Sequence, residues 1–266
     1  MPRHSGGRTR QREEAATAVL TVVRRKPWEK TTFAVEKRRI AMSKDNYFND
    51  FRDICFGVLS QSGNCQESQD AFASTHSVPE LVTAWKKYWK GIVTEVPRQT
   101  ADAFAKFYAT YRNDINRAGV YYNEAPPQTE QRATIIVGYA DEKRKELSLS
   151  GRHRIYVLGD MRVMAYGHCS VYVCDLAEAN VVVNDHCRCS CENGHIEAHG
   201  RSWVNGKGRI RCYNSTTIYC TGGVVTDYGH LAISAYNDVM VMSPTTRYIS
   251  LYDKATLQQR EEGGRP

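Results

Sequence analysis

Cysteine and histidine side chains concentrate in one short part of the chain, where their types could bind zinc. The cluster consists of His186, Cys187, Cys189, Cys191, His195 and His199. Structural zinc sites typically use cysteines in Cys-x-x-Cys pairs, and the chain has no such pair. Alternate residues of a strand share a face, so the three cysteines are predicted to point inward, together with Cys212 and Cys220. We expect buried core thiols and neither a metal site nor a cofactor.

Catalytic motifs are missing from the sequence. It has no Gly-x-Ser-x-Gly, no phosphate loop ending in Gly-Lys-Ser/Thr, no His-Glu-x-x-His and no Gly-x-Gly-x-x-Gly. Asp175, Asp185, Asp227 and Asp253 fall mostly at predicted corners, where turn chemistry accounts for them. No set of catalytic residues can be assembled, and this favours a non-enzymatic role.

Five tyrosines recur at one position of a repeat that should point outward, and they are the candidate binding residues: Tyr166, Tyr213, Tyr228, Tyr236 and Tyr252. If two repeats close one coil, Tyr236 stacks on Tyr252 and Tyr213 on Tyr228. If three repeats close it, Tyr228 stacks on Tyr252 and Tyr213 on Tyr236. Two interpretations stay open, since stacked tyrosines stabilise a sheet as well as forming ligand surfaces.

The repeat is an octad that extends from Ile155 to Leu257. Its first residues are Ile155, Val163, Val171, Val181, Cys189, Ile196, Val204, Ile210, Ile218, Val225, Ile233, Val241 and Ile249. The fifth residue is nearly always Gly, Asn or Asp, which tolerate the left-handed backbone of a tight corner. Segments of three or four residues between corners are short for a sandwich or barrel. Thirteen octads therefore predict a parallel β-solenoid.

Helices are predicted upstream of the repeat. Asp45 can cap a helix that continues to Leu59 and closes at Gly63 and Asn64, and a short helix follows over 67–72. Ser77 caps a third helix and a fourth covers about 100–117. Their apolar positions predict a small bundle. Trp85, Tyr88 and Trp89 could form an aromatic binding box, but their spacing is more typical of a bundle core.

Together these patterns predict an α+β chain in five parts. Residues 1–41 form a basic extension, 42–120 a helical domain, 121–132 a linker containing two prolines, 133–257 the solenoid and 258–266 a polar tail. The extension holds eleven Lys or Arg and four acids, which accounts for the whole net charge of +7. Nucleic-acid binding is therefore expected only through residues 1–41. Translation from Met42 is an open alternative.

Compartment can be predicted from two further features. The apolar run at 15–23 is too short to span a bilayer and lacks a cleavage site, so no membrane partner is expected. Nine cysteines, an odd number, favour a reducing compartment. The sequence thus predicts a cytoplasmic protein.

The segments Val163-Met-Ala-Tyr-Gly167 and Ile233-Ser-Ala-Tyr-Asn237 resemble octad-repeat solenoid proteins of bacterial and prophage genomes, with runs of Val-x-Ala-Tyr-Gly/Asp/Asn. The resemblance covers 155–257. It implies a scaffold, a phage tail part or an adaptor. We expect an adaptor that binds a protein partner. Self-assembly, as in bactofilin-like filaments, is the second hypothesis, and a carbohydrate-active β-helix is the third.

Overall fold

A computed structural model describes the chain over residues 44–61, 66–95, 97–141, 145–174 and 179–260. The basic extension 1–41, the turn at Gly63 and Asn64, and Asp175 lie outside these ranges. The described part combines four helices with a parallel β-solenoid, so the predicted fold class is confirmed at this level.

The helices are α1 (Lys44–Gln61), α2 (Gln66–Ala73), α3 (Val78–Glu95) and α4 (Pro97–Arg117). Ser77 occupies the N-cap position of α3, since its carbonyl accepts the Leu81 N–H at 3.0 Å in the first bond of the helix. The His76 N–H donates to the Glu80 carboxylate at 2.8 Å, which lowers the pKa of Glu80. These local bonds fix where the chain enters α3.

Aromatic side chains fill the centre of the helical part. Phe51 of α1 stacks on Phe107 of α4, with ring centroids 4.7 Å apart. Trp85 is buried, while Tyr88 and Trp89 are partly buried and pack against the same core. The prediction of a bundle core is therefore confirmed for this cluster.

The solenoid has two columns of strands, with parallel pairing throughout the described residues. The first column consists of β1 (Val120–Tyr122), β2 (Thr134–Val137), β4 (Arg154–Val157), β6 (Ser170–Val173), β8 (Arg188–Cys191), the first halves of β10 (Trp203–Cys212) and β11 (Thr217–Asp227), β12 (Ala232–Ala235) and β14 (Ile249–Leu251). The second column consists of β3 (Glu146–Gly151), β5 (Arg162–Gly167), β7 (Asn180–Val183), β9 (His195–Ala198), the second halves of β10 and β11, β13 (Met240–Ser243) and β15 (Thr256–Gln259). One coil therefore contains one strand from each column.

The solenoid has about eight turns, and the predicted count of thirteen octads is not confirmed. Each predicted anchor lies in a strand, but the same register continues beyond them. Ile135 is paired with Ile155, Leu147 with Val163, and Leu257 with Val241. The corners next to these additional strands differ in length, so a fixed eight-residue pattern does not detect the strands.

Corner chemistry follows the predicted positions. Asp185, Asn237 and Asp253 have positive φ values of 56°, 57° and 57°. At the shortened coils the chain bends within β10 without a separate turn. Gly206 is required there, because a Cβ on it would lie 1.7 Å from the carbonyl oxygen of Cys191. The structure has two cores, one inside the solenoid and one between the helices and the outer face of the first column.

Candidate binding surface

The helices cover part of the outer face of the first column. Ile136, Tyr156 and Leu158 belong to the helical core. The Trp89 ring lies 3.6 Å from that of Tyr156, and burial raises the pKa of Tyr156 to about 12. Tyr172, in the next coil, is 36% exposed and still lies within 5.5 Å of Trp89. Tyr172 is therefore only partly covered by the helices.

Beyond this cover the same face continues with exposed aromatic residues. In β8 its outward side chains are Arg188 and Ser190. From β10 onward they are Trp203, Asn205, Thr217, Tyr219, Ala232, Ser234, Tyr248 and Ser250, and we call this set of eight the aromatic face. Trp203 and Tyr219 are each 37% exposed, and Tyr248 is 77% exposed. None of these eight side chains is charged. Protein interfaces are likewise rich in aromatic residues and poor in charge at their centres.

The second column differs in its chemistry. Arg162 pairs with Glu146 of the adjacent coil at 3.3 Å, and Arg211 pairs with Glu197 at 3.5 Å. All four side chains are at least a third exposed. Such exposed pairs contribute little stability, roughly 0–1 kcal/mol, but they keep this face solvated. The charged pairs of the second column lie in coils before β11, and from β11 onward its outward residues are uncharged, among them Val224, Thr226, Met240 and Met242.

The five predicted tyrosines lie at two separate edges of the solenoid. Tyr236 and Tyr252 stack at the corners of the first column, with centroids 4.4 Å apart. Tyr213 and Tyr228 stack at the corners of the second column at 4.9 Å. These are the pairs expected when two octads close one coil. Tyr166 lies at the second-column edge, where its hydroxyl is 3.9 Å from the Met164 sulfur.

Stacking hides the ring faces of two second-column tyrosines, Tyr213 and Tyr228. His199 stacks on Tyr213 at 4.5 Å, and the Arg260 guanidinium lies 5.0 Å from the Tyr228 centroid. Sugars and bases bind aromatic residues through their faces. This edge is therefore better suited to stabilising coils than to binding such ligands, and the carbohydrate hypothesis gains no support from it.

Sequence reasoning missed Trp203, Tyr219 and Tyr248 as surface residues. The usable signal was the second octad position, which points outward like the fourth. Read together with the residue before each anchor, it gives a stretch without charge only from Thr217 onward, because Arg209 and Arg211 occupy these positions in the octad of Ile210. Only the fourth position was considered, because its tyrosines recur most often.

The clustered cysteines are buried, as predicted. Cys187, Cys189, Cys191 and Cys212 point into the solenoid core. Hydrogen bonds with Cys169 and Cys191, followed by burial, raise the pKa of Cys187 and Cys189 respectively, and burial raises the pKa of Cys212. Burial also raises the pKa of Cys220 to about 11. Within the described ranges, no group of three or more His, Cys, Asp or Glu residues is arranged to hold a metal ion.

The corner assignment of Asp227 was wrong. It occupies the inward third octad position and is 1% exposed. His230 Nδ1 lies 2.8 Å from one carboxylate oxygen, and the Ser243 hydroxyl donates to the same oxygen. The carboxylate therefore lies between the histidine and the serine. A catalytic triad needs the histidine between the other two, so this cluster does not activate Ser243 as a nucleophile.

This cluster instead connects neighbouring coils. The second ring nitrogen of His230, Nε2, lies 2.8 Å from the Arg247 carbonyl, and the Gly229 N–H donates to Asp227 at 2.8 Å. The Cys212 thiol lies 3.6 Å from the same carboxylate. Because the polar groups satisfy one another, a buried carboxylate is tolerated within an apolar core.

Comparisons with known proteins identify no relative: no family model, curated protein or solved structure matches the chain. The resemblance to bacterial and prophage octad-repeat proteins therefore rests on the repeat residues alone. Among the described residues, no helix is long and apolar enough to cross a membrane.

Proposed function

We propose that this chain is a non-enzymatic adaptor that binds a protein partner through the aromatic face. The observation that carries the proposal is the set of uncharged outward residues from Trp203 to Ser250, four of them exposed and four partly exposed, on a column of paired strands. Trp203, Tyr219 and Ser234 lie on strands that are paired on both sides, which hold these side chains in place before binding. Less conformational entropy is then lost on association.

The helical part supports the same role. Trp89 of the helices packs on Tyr156, upstream in the same strand column, and this contact supports the idea that the outer side of this column can pack against another element. A partner could bind beside the helices and contact Tyr219 and Ser234. The buried cysteines form no disulfides among the described residues, which fits a reducing compartment. We therefore propose that the protein acts in the bacterial cytoplasm, encoded by the host genome or by a prophage.

A photo-crosslinking residue at Ser234 tests this proposal. Glu197 is the matched control position. Like Ser234, it points outward from a strand and is partly exposed, but it lies on the second column beside charged residues. We expect one partner to be captured from Ser234 and not from Glu197. The purified partner should then bind the wild-type chain and lose at least about tenfold in affinity with Trp203→Ala/Tyr219→Ala. Equal capture from both positions, or unchanged affinity in the double variant, would exclude the aromatic face as the binding site.

A further inference from the structure

In the last coil that the structure describes, formed by β14 and β15, core residues remain open. Leu251 occupies the third octad position, where Ala235 of the preceding coil is completely buried, yet Leu251 is 38% exposed. Ile249 and Leu257 are only partly buried. Within the described residues, β14 pairs only with β12, and β15 only with β13. Apolar side chains and unpaired backbone groups are thus exposed at the same end.

The opposite end is different. Leu147 and Leu149 of β3 are 7% and 2% exposed, and Tyr121 of β1 is 4% exposed. The Tyr121 hydroxyl donates to the Glu130 carboxylate, and this hydrogen bond holds the segment after β1 against the first coil. A head-to-tail stack needs an open surface at both ends. The covered first coil therefore favours pairing between two C-terminal ends.

The free backbone groups of β14 can be assigned from its bonds to the preceding coil. The Tyr248 carbonyl accepts the Ile233 N–H at 3.0 Å, and the Tyr252 N–H donates to the Ala235 carbonyl at 2.9 Å. Backbone groups alternate in direction along a strand. The N–H and C=O groups of Ile249 and Leu251 therefore point toward the open end.

The sequence around β14 is complementary to itself. Residues 247–253 read Arg-Tyr-Ile-Ser-Leu-Tyr-Asp. In an antiparallel pair centred on Ser250, aliphatic Ile249 lies opposite aliphatic Leu251 of the second copy, and Tyr248 lies opposite its Tyr252. The outermost pair, Arg247 with Asp253, has opposite charges.

We propose that two copies of this chain associate through their C-terminal ends, by antiparallel pairing of β14 about a twofold axis at Ser250. In this register Ile249 and Leu251 form a hydrogen-bonded pair with their counterparts, so the free backbone groups are satisfied. The same contact buries Leu251. An interface in which both copies use one patch closes after two subunits and does not continue into a filament.

Tyr252 adds a ring contact to this pairing. One face of its ring stacks on Tyr236 within the chain, and the side chain is still 46% exposed at the last coil. Tyr248 of the second copy falls opposite it in the proposed register. The first-column tyrosine stack would then continue across the interface. Because a single coil end is small, we expect a weak dimer with a micromolar dissociation constant.

Mass measurement by light scattering over a concentration series tests the proposal with the full chain. The expected mass rises from the monomer value of 30.2 kDa and levels off at about twice that value. Ser250→Lys places two like charges face to face and should weaken dimerisation at least about tenfold. Ser234→Lys adds the same charge one coil earlier and should leave the dimer intact. A constant monomer mass, growth beyond the dimer, or equal effects of the two variants would overturn the proposal.

Cysteine crosslinking tests the register directly. In the proposed dimer the two Ser250 side chains form a non-hydrogen-bonded pair, with Cβ atoms about 4.5–5.5 Å apart. Ser250→Cys should therefore give a disulfide-linked dimer under mild oxidation. Ser234→Cys lies one strand further from the axis in each copy, at about 14 Å from its counterpart, beyond disulfide reach. Equal crosslinking at both positions would contradict the register.

Dimerisation does not depend on the proposed adaptor function. Trp203→Ala/Tyr219→Ala should weaken partner binding and leave the dimer unchanged. Ser250 also belongs to the aromatic face, so Ser250→Lys is assayed only for its effect on the dimer, by mass measurement without the partner. Failure of either proposal is thus seen separately from failure of the other.

Discussion

Ile233→Ala tests the register on which the whole solenoid depends. Ile233 is 1% exposed and is paired with Ile218 in one neighbouring coil and Ile249 in the other. Removing its side chain leaves a cavity between those two residues, and such changes typically cost about 2–5 kcal/mol. Ile249 lies in the open last coil and can partly close the cavity. We therefore expect a loss of about 2–3 kcal/mol in the free energy of unfolding.

Two neighbouring positions supply the controls. Ser234 points outward, so Ser234→Ala should change the free energy of unfolding by less than about 0.5 kcal/mol. Asn237 has a φ of 57°, and its side-chain amide donates to the Thr221 carbonyl at 3.0 Å. Asn237→Gly keeps the left-handed backbone but loses this bond, which costs about 1 kcal/mol. Asn237→Val also forces a β-branched residue into that conformation, for about 2–3 kcal/mol in total.

Urea denaturation followed by far-ultraviolet circular dichroism measures all four variants. The expected order of destabilisation is Ser234→Ala, then Asn237→Gly, with Ile233→Ala and Asn237→Val the most damaging. If Ser234→Ala were as damaging as Ile233→Ala, or Asn237→Val were harmless, the assignment of inward and corner positions would be refuted.

Three other outcomes are expected from the buried polar groups. Asp227→Ala removes the acceptor shared by His230 and Ser243 and should cost about 3–5 kcal/mol by thermal or urea denaturation; a near-neutral effect would contradict the buried network. Cys65 lies outside the described residues, so the thiol test uses a Cys65→Ser chain. Because burial raises the pKa of Cys220 to about 11, its thiol should react with a thiol reagent at pH 8 on the order of a hundredfold more slowly in the folded chain than in the unfolded one. A chelator should leave the Tm of this chain unchanged. The unfolded state loses thiol protons first, so this contribution to stability is full below about pH 8.5 and declines as pH rises toward the folded pKa; urea midpoints that stay level from pH 8 to 10.5 would argue against buried thiols.

Much of the fold could be predicted from the sequence because it depends on local rules. Ile233 and Ala235 face inward and Ser234 faces outward simply because strand residues alternate. Asn237 and Asp253 mark corners because they tolerate a left-handed backbone. The helix beginning at Val78 follows from the Ser77 cap and the apolar spacing behind it. None of these features needs a distant part of the chain.

Only the tertiary structure decided which residues share a surface. The octad does not determine how many repeats close a coil, since that depends on how the corners bend and which strands pair across the coil. Two octads per coil place Tyr213 and Tyr236 at opposite edges, so the predicted tyrosine set is divided. Packing of the helices against Tyr156 leaves Tyr219 exposed on the same face. These relations join residues far apart in the chain, and local propensity carries no information about such contacts.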